Sequence, residues 1–171
     1  MEAIGTLRRR GVPVTLTLVG DAAGRPGDAQ SKAELFDFIG HYGLADVVTH
    51  RTWLSFDKLI EAGPASHVFV VPSVTAEDGD TEGTPAVMGQ MMATGMPTVA
   101  MRHSDIPYTF GPYADRLVPE RDAVALVERL QRYYDEPEVM TREGLEYREQ
   151  VRRAFDTRIC AGNLSTLYES P

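Results

Sequence analysis

His67-Val68-Phe69-Val70-Val71-Pro72-Ser73-Val74-Thr75-Ala76-Glu77-Asp78-Gly79-Asp80-Thr81-Glu82-Gly83-Thr84-Pro85 is the stretch that decides the fold. Its first five residues form an apolar run, ended by Pro72-Ser73, and read as a buried strand. An acidic loop follows, and then a helix that stops at Gly95-Met96-Pro97. Thr84 suits the N-cap and Pro85 the first helical position, where a missing N–H costs nothing. Gly95 suits the left-handed residue just past the last turn. A buried strand, a glycine-bearing loop and a helix N-terminus, in that order, are where α/β proteins hold phosphates. Glu82 gives that place a chemical handle.

Strand and helix signals alternate on both sides of this stretch. Residues Met1 to Arg10 read as the tail of a helix ended by Gly11. Pro13 to Val19 is a β-rich run closed by Gly20, and the polar loop Asp21 to Gly27 leads into a helix from Asp28 to Tyr42. The apolar Leu35, Phe36 and Ile39 of that helix recur at helical spacing. Val47-Val48-Thr49 is a short strand, Phe56 to Ala62 a short helix and Thr98-Val99-Ala100 another strand. Leu117-Val118-Pro119 reads as an edge strand. After it comes a helix capped by Asp122, with an apolar stripe of Val124, Leu126, Val127 and Leu130. Helices at Pro137 to Phe155 and Thr157 to Tyr168 close the chain. Strands separated by helix-length segments imply an α/β fold, a doubly wound parallel sheet in a single domain. The chain opens inside a helix, without the strand that a parallel unit places before it. The expectation is a trimmed domain or absent upstream residues.

The 171 residues carry a formal net charge of −8, which argues against a nucleic-acid partner, since phosphate backbones demand clustered cations. Arg8-Arg9-Arg10 is the one dense basic run and reads as a solvated helix end, complementing the dipole. No apolar run reaches the ~18 residues of a membrane span, and no secretory signal begins the chain, so a cytoplasmic location is expected. The single cysteine, Cys160, excludes an internal disulfide and reads as a small buried apolar residue.

In a doubly wound sheet ligands gather beyond the carboxyl ends of the strands. Gly20-Asp21, the loop at Arg51-Thr52-Trp53 and the loop Pro72 to Thr84 occupy such positions. The N–H groups of Gly83, Thr84 and Ala86 can face an anion there, and Gln90 lies one helical turn beyond Ala86. Spacing alone reads two ways: Glu82 and Gln90 as ligand contacts, or as a loop cap and a surface amide. The acidic Glu77-Asp78-Gly79-Asp80 is read as solvated rather than as a metal site. The four histidines lack the ligand spacing of zinc sites, and of them His103 is the best placed to face the cleft. Trp53 is read as half-buried packing. Ser73 lacks a glycine-flanked nucleophile elbow, against a hydrolase. Lys32 and Lys58 lie in predicted helices, against a phosphoacceptor receiver domain.

The run from Pro72-Ser73 through Glu82-Gly83-Thr84-Pro85 and Gln90 to Gly95-Met96-Pro97-Thr98-Val99 resembles the C-terminal, nucleotide-sugar-binding domain of retaining GT-B glycosyltransferases of group 1 (family 4). Leu18-Val19-Gly20-Asp21, Leu117 to Asp122 and the late Arg152 and Phe155 agree, so the resemblance spans nearly the whole chain. It implies that Glu82 is the catalytic glutamate contacting the donor sugar. It also implies donor-binding roles for Gly20, Ser73, Gly83, Thr84, Pro85, Ala86 and Gln90. Gln90 stands where the family has a second glutamate, which holds the ribose; an amide offers one acceptor oxygen where a carboxylate offers two. Tyr108 stands where the family has an acidic residue after Ile-Pro.

By the same resemblance the expected ligand is a nucleotide diphosphate sugar donor, with no cofactor and no metal. The family's diphosphate-binding Arg and Lys, and its N-terminal acceptor domain, are expected upstream of this chain, which alone should show little or no turnover. The rival reading is a non-catalytic nucleotide- or sugar-binding module of the same fold.

Overall fold

In the computed structural model, which describes residues 1–22, 24 and 27–169, the chain is α/β with parallel strands. It divides into two compact units, Met1–Glu61 with Ala123–Asp135, and Ala62–Asp122 with Glu136–Pro171.

The first unit holds α1 (Glu2–Arg9), β1 (Leu16–Val19), α2 (Asp28–His41), β2 (Val48–Arg51), α3 (Phe56–Ala62, which runs one residue past it) and α6 (Ala123–Asp135). β1 and β2 pair in parallel from Leu16 opposite Val48 to Val19 opposite Arg51. The expected strand from Pro13 starts three residues late, because Val14 donates its N–H back to Val12 in a tight turn before pairing begins at Leu16. One core cluster joins Ala3 and Leu7 of α1 to Val127 of α6, and a second joins Ile4, Ile39 and Leu44. Val124, expected on the buried stripe of α6, is 63% exposed; the other three of that stripe, Leu126, Val127 and Leu130, face the core. Phe36 of α2 is exposed as well and meets His50 edge-on, leaving Ile39 as the buried residue of that helix. Arg8 is bound to Asp46 and to the Gly43 carbonyl. Of the expected loop Asp21 to Gly27, Ala23, Arg25 and Pro26 lie outside the described residues.

The second unit holds β3 (Phe69–Val71), α4 (Ala86–Thr94), β4 (Thr98–Ala100), α5 (Ile106–Phe110), α7 (Pro137–Phe155) and α8 (Thr157–Glu169), with short 3-10 helices at Gly63–Ala65 and Gly111–Arg116. β3 and β4 pair in parallel, Phe69 opposite Thr98 and Val71 opposite Ala100. The expected edge strand at Leu117 is reduced to one parallel bridge between Met101 and Val118, since Pro119 has no N–H with which to extend it. α5 and the 3-10 helix after it fill a segment read as loop; Ile106 and Phe110 are buried there with Val71, Met88, Met92 and Tyr147. α7 lies against α4 and α5 through Tyr147 and Val151, whereas α8 buries no residue.

Candidate functional site

The loop between β3 and α4 carries the site. Pro72 stops the strand, since it cannot extend the ladder. Within the loop Gly79, at φ 86°, closes a turn onto the carbonyl of Ala76, and Ala76 in turn donates to Asp80. Glu77, Asp78 and Asp80 are turned to solvent. The loop's ends are tied by side chains: Ser73 Oγ donates to Glu82 Oε2 at 2.8 Å. Two residues singled out by sequence are thus in direct contact, and Glu82 keeps its other oxygen without a protein partner among the described residues.

Beneath the loop is a polar group that the sequence marks only faintly. His103 is 1% exposed. Its Nε2 stands 3.2 Å from the backbone nitrogen of Glu82, and its Nδ1 stands 2.7 Å from Glu120 Oε1. A backbone N–H can only donate, so Nε2 accepts and the ring proton sits on Nδ1, directed at the carboxylate. The other oxygen of Glu120 accepts the N–H of Thr75 at 2.8 Å. That N–H first, and His103 second, hold the Glu120 carboxyl below its ordinary range. Arg121 caps the group by donating to the carbonyl of Thr75.

Among the described residues Ser104 (φ 41°) and Arg121 (φ 60°) are the two non-glycine residues with left-handed backbone, and each directly follows a member of the pair. Such conformations cost about 1 kcal/mol or more each, and the hydrogen bonds of His103 and Glu120 beside them keep the chain there. His103 therefore lies under the loop rather than lining its open side. Thr75, Glu120 and Arg121 were not singled out by sequence reasoning. The available signal was the position of Glu120, a polar residue just past an apolar run at a strand's carboxyl end.

α4 begins one residue later than expected. Pro85, with extended backbone (φ −63°, ψ 112°), occupies the N-cap position, and no side chain caps the helix; Thr84 precedes the cap. Thr84 therefore stands one residue outside the cap position expected for it. Pro85 is buried while Gly83, Thr84, Ala86 and Gln90 are exposed. Among the described residues the N–H groups of Gly83 and Thr84 have no protein acceptor. Met88, Met91 and Met92 anchor the inner side of α4, and Gly95 ends it at φ 89° as expected.

Gly20 lies in the first unit, at the carboxyl end of β1 with φ 139°. Its N–H donates to Arg51 and its carbonyl accepts from His50 Nε2 at 2.7 Å, so both backbone groups close the strand pair. With Asp21, Ser31, Lys32 and His50 it lines a depression of about 440 Å³, and Lys32 there pairs with Asp21 at 2.5 Å. Two expectations fail. Trp53, read as half-buried, is 75% exposed in the turn after β2, where no helix covers it. Cys160, read as buried, is exposed because α8 has no core-facing side.

Residues 1–136 match the family model described as glycosyl transferases group 1. The putative colanic acid biosynthesis glycosyltransferase WcaL of Escherichia coli K12 is 30% identical over 99% of this chain; the alignment takes in 41% of WcaL. The chain thus spans about two fifths of the length of the curated relatives it matches. The sucrose-phosphate synthase of Thermosynechococcus elongatus superimposes over 98% of this chain and 41% of its own, with a TM-score of 0.78 at 27% identity. The Anabaena protein Alr3699/HepE in complex with UDP-glucose superimposes over 99% of this chain and 44% of its own, with a TM-score of 0.80 at 19% identity. The last of these likenesses speaks to the fold alone, a Rossmann-like α/β arrangement of the GT-B kind. On the match to its first 136 residues, this chain belongs to the group 1 glycosyl transferases.

Proposed function

We propose that residues 1–171 form the C-terminal, nucleotide-sugar-binding domain of a retaining GT-B glycosyltransferase. The observation that carries this reading is the Ser73–Glu82 hydrogen bond at the mouth of α4, which holds one carboxylate oxygen and leaves the other for a ligand. Glu82 contacts the donor sugar and stabilises charge at the reacting carbon, a role that depends on being held in place before the substrate arrives. The N–H groups of Gly83, Thr84 and Ala86, at the positive end of α4, receive an anionic part of the donor. Pro85 fixes their direction, and Gln90 bonds ribose hydroxyls.

The reaction is transfer of a sugar from a nucleotide diphosphate to an acceptor with retention at the anomeric carbon. The bond from anomeric carbon to diphosphate oxygen breaks and one to the acceptor oxygen forms, while the acceptor's proton leaves. The chain spans 41% of WcaL; in this reading the acceptor is bound by a domain other than this one, and the reaction takes place in the cytoplasm.

Titration calorimetry of the chain with UDP, GDP and UDP-glucose tests the site. UDP-glucose binding that weakens tenfold or more in Glu82→Ala, and UDP or GDP binding that weakens likewise in Gln90→Ala, supports it; no binding to any nucleotide would overturn it. A second reading, a non-catalytic binding module, is favoured by Gln90 standing in place of a carboxylate. It predicts UDP-glucose binding that survives Glu82→Ala.

A further inference from the structure

We infer that His103 is a positioning residue for Glu82: held by Glu120, its imidazole fixes the backbone at Glu82 and so sets where that carboxylate meets the sugar half of a nucleotide sugar. The inference rests on the donor-site reading above.

Glu82 is exposed, yet the group bound to its N–H is among the most buried polar side chains of the second unit. A buried imidazole needs partners for both nitrogens, and His103 has them, Glu82 N–H on one side and Glu120 on the other. Glu120 also binds Thr75, so the network reaches the start of the loop as well as its end. Two separate ties therefore converge on Glu82: the side-chain bond from Ser73, and the backbone bond from His103. The first orients the carboxylate and the second fixes the Cα from which it projects. The positive φ of Ser104 and Arg121 lets the chain turn sharply right after His103 and after Glu120. Gly83 and Thr84 carry no such tie, so a fault at His103 is expected to move Glu82 while leaving their N–H groups accessible.

The ligand-free chain, labelled with nitrogen-15, gives the first test. His103 should show the Nδ1–H tautomer, and the Glu82 amide should exchange with solvent at least a hundredfold more slowly than those of Gly83 and Thr84. An Nε2–H ring, or a Glu82 amide as fast as its neighbours, would overturn the clamp whatever the chain binds. Calorimetry with UDP and UDP-glucose, and with GDP and GDP-mannose as a second matched pair, gives the other test. In His103→Leu the affinity ratio of nucleotide sugar to nucleotide should fall at least fivefold, with affinity for the bare nucleotide within twofold of the parent. His103→Gln keeps an acceptor for the Glu82 N–H and should recover at least half of the ratio.

Equal losses for sugar and nucleotide, or a Gln variant no better than Leu, would overturn the inference. If His103→Leu does not fold, Glu120→Ala, which frees the ring, should lower the same ratio. A parent chain that binds neither member of either pair would overturn the donor-site reading and the sugar-directed half of this inference, while the ring and amide measurements decide the clamp by themselves.

Discussion

Gly144 of α7 lies against the carbonyl of Gly95, the residue that ends α4. A Cβ built on Gly144 would stand 2.3 Å from that oxygen and 3.2 Å from the ring of Pro97. The helix that underlies the site is thus locked to its support by the absence of one carbon atom. Gly144→Ala should destabilise the second unit by about 1–3 kcal/mol, the cost of overpacking against backbone that cannot move aside. Gly162, in α8, meets nothing within 4 Å, so Gly162→Ala should instead strengthen its helix by up to about 1 kcal/mol. Urea denaturation of the two variants side by side checks both signs.

Ser73→Ala removes the donor to Glu82 without touching the core. Stability should stay within about 0.5 kcal/mol of the parent, as for surface substitutions away from special features. Affinity for UDP-glucose should drop roughly fivefold to tenfold, about 1–1.4 kcal/mol, the net worth of a typical hydrogen bond. Thermal melting and calorimetry on the same preparation separate the two effects; a large drop in melting temperature would contradict the assignment.

Gln90→Glu restores a second acceptor oxygen on the exposed side of α4. Nucleotide affinity should rise by roughly a factor of five, about 1 kcal/mol, with UDP and UDP-glucose gaining alike because the ribose is common to both. A gain confined to the nucleotide sugar would place Gln90 at the sugar instead.

Acid should loosen the end of α7 and the start of α8. Hydrogen bonds from Arg152 and then Arg153 draw the Glu149 carboxyl down to about 2, and those from the Arg158 side chain and backbone draw Asp156 down to about 2. Both values lie below the ordinary 4.5 and 3.8. The stabilising contribution is therefore full above those ordinary values and is lost as pH falls through about 2. The protection of the amides of residues 157–169, relative to their intrinsic exchange rates, should fall over that window and be unchanged between pH 6 and 8. Salt at about 1 M should shrink the effect, because both pairs are exposed.

The long helices are legible in the sequence because their ends carry strong local signals. Pro137 opens α7, Gly95 closes α4, and both fall where the residues place them. Short elements are less legible. Ile106 to Phe110 holds only five residues, too few for a helical period to show. Strand ends are set by partners that sequence does not reveal, which is why β3 begins at Phe69 rather than His67. Glu82 and Ser73 were named for the site through the family resemblance, and the hydrogen bond between them was not foreseen, since the loop that joins them has no fixed geometry in sequence. Glu120 was not legible, since its role depends on a parallel bridge between Met101 and Val118 that brings distant segments side by side. Burial misled at Cys160 and Trp53, where apolar character was taken as a sign of core and the neighbouring elements offered none.

The exposure of Cys160 has a practical consequence. It is the only thiol in the chain, and it stands in the first turns of a helix that buries no side chain. One maleimide dye will therefore attach at a single known position without disturbing the interior. A fluorophore there would report on α8 alone, giving an optical readout of the acid loosening described above and a fixed point for distance measurements to a labelled nucleotide.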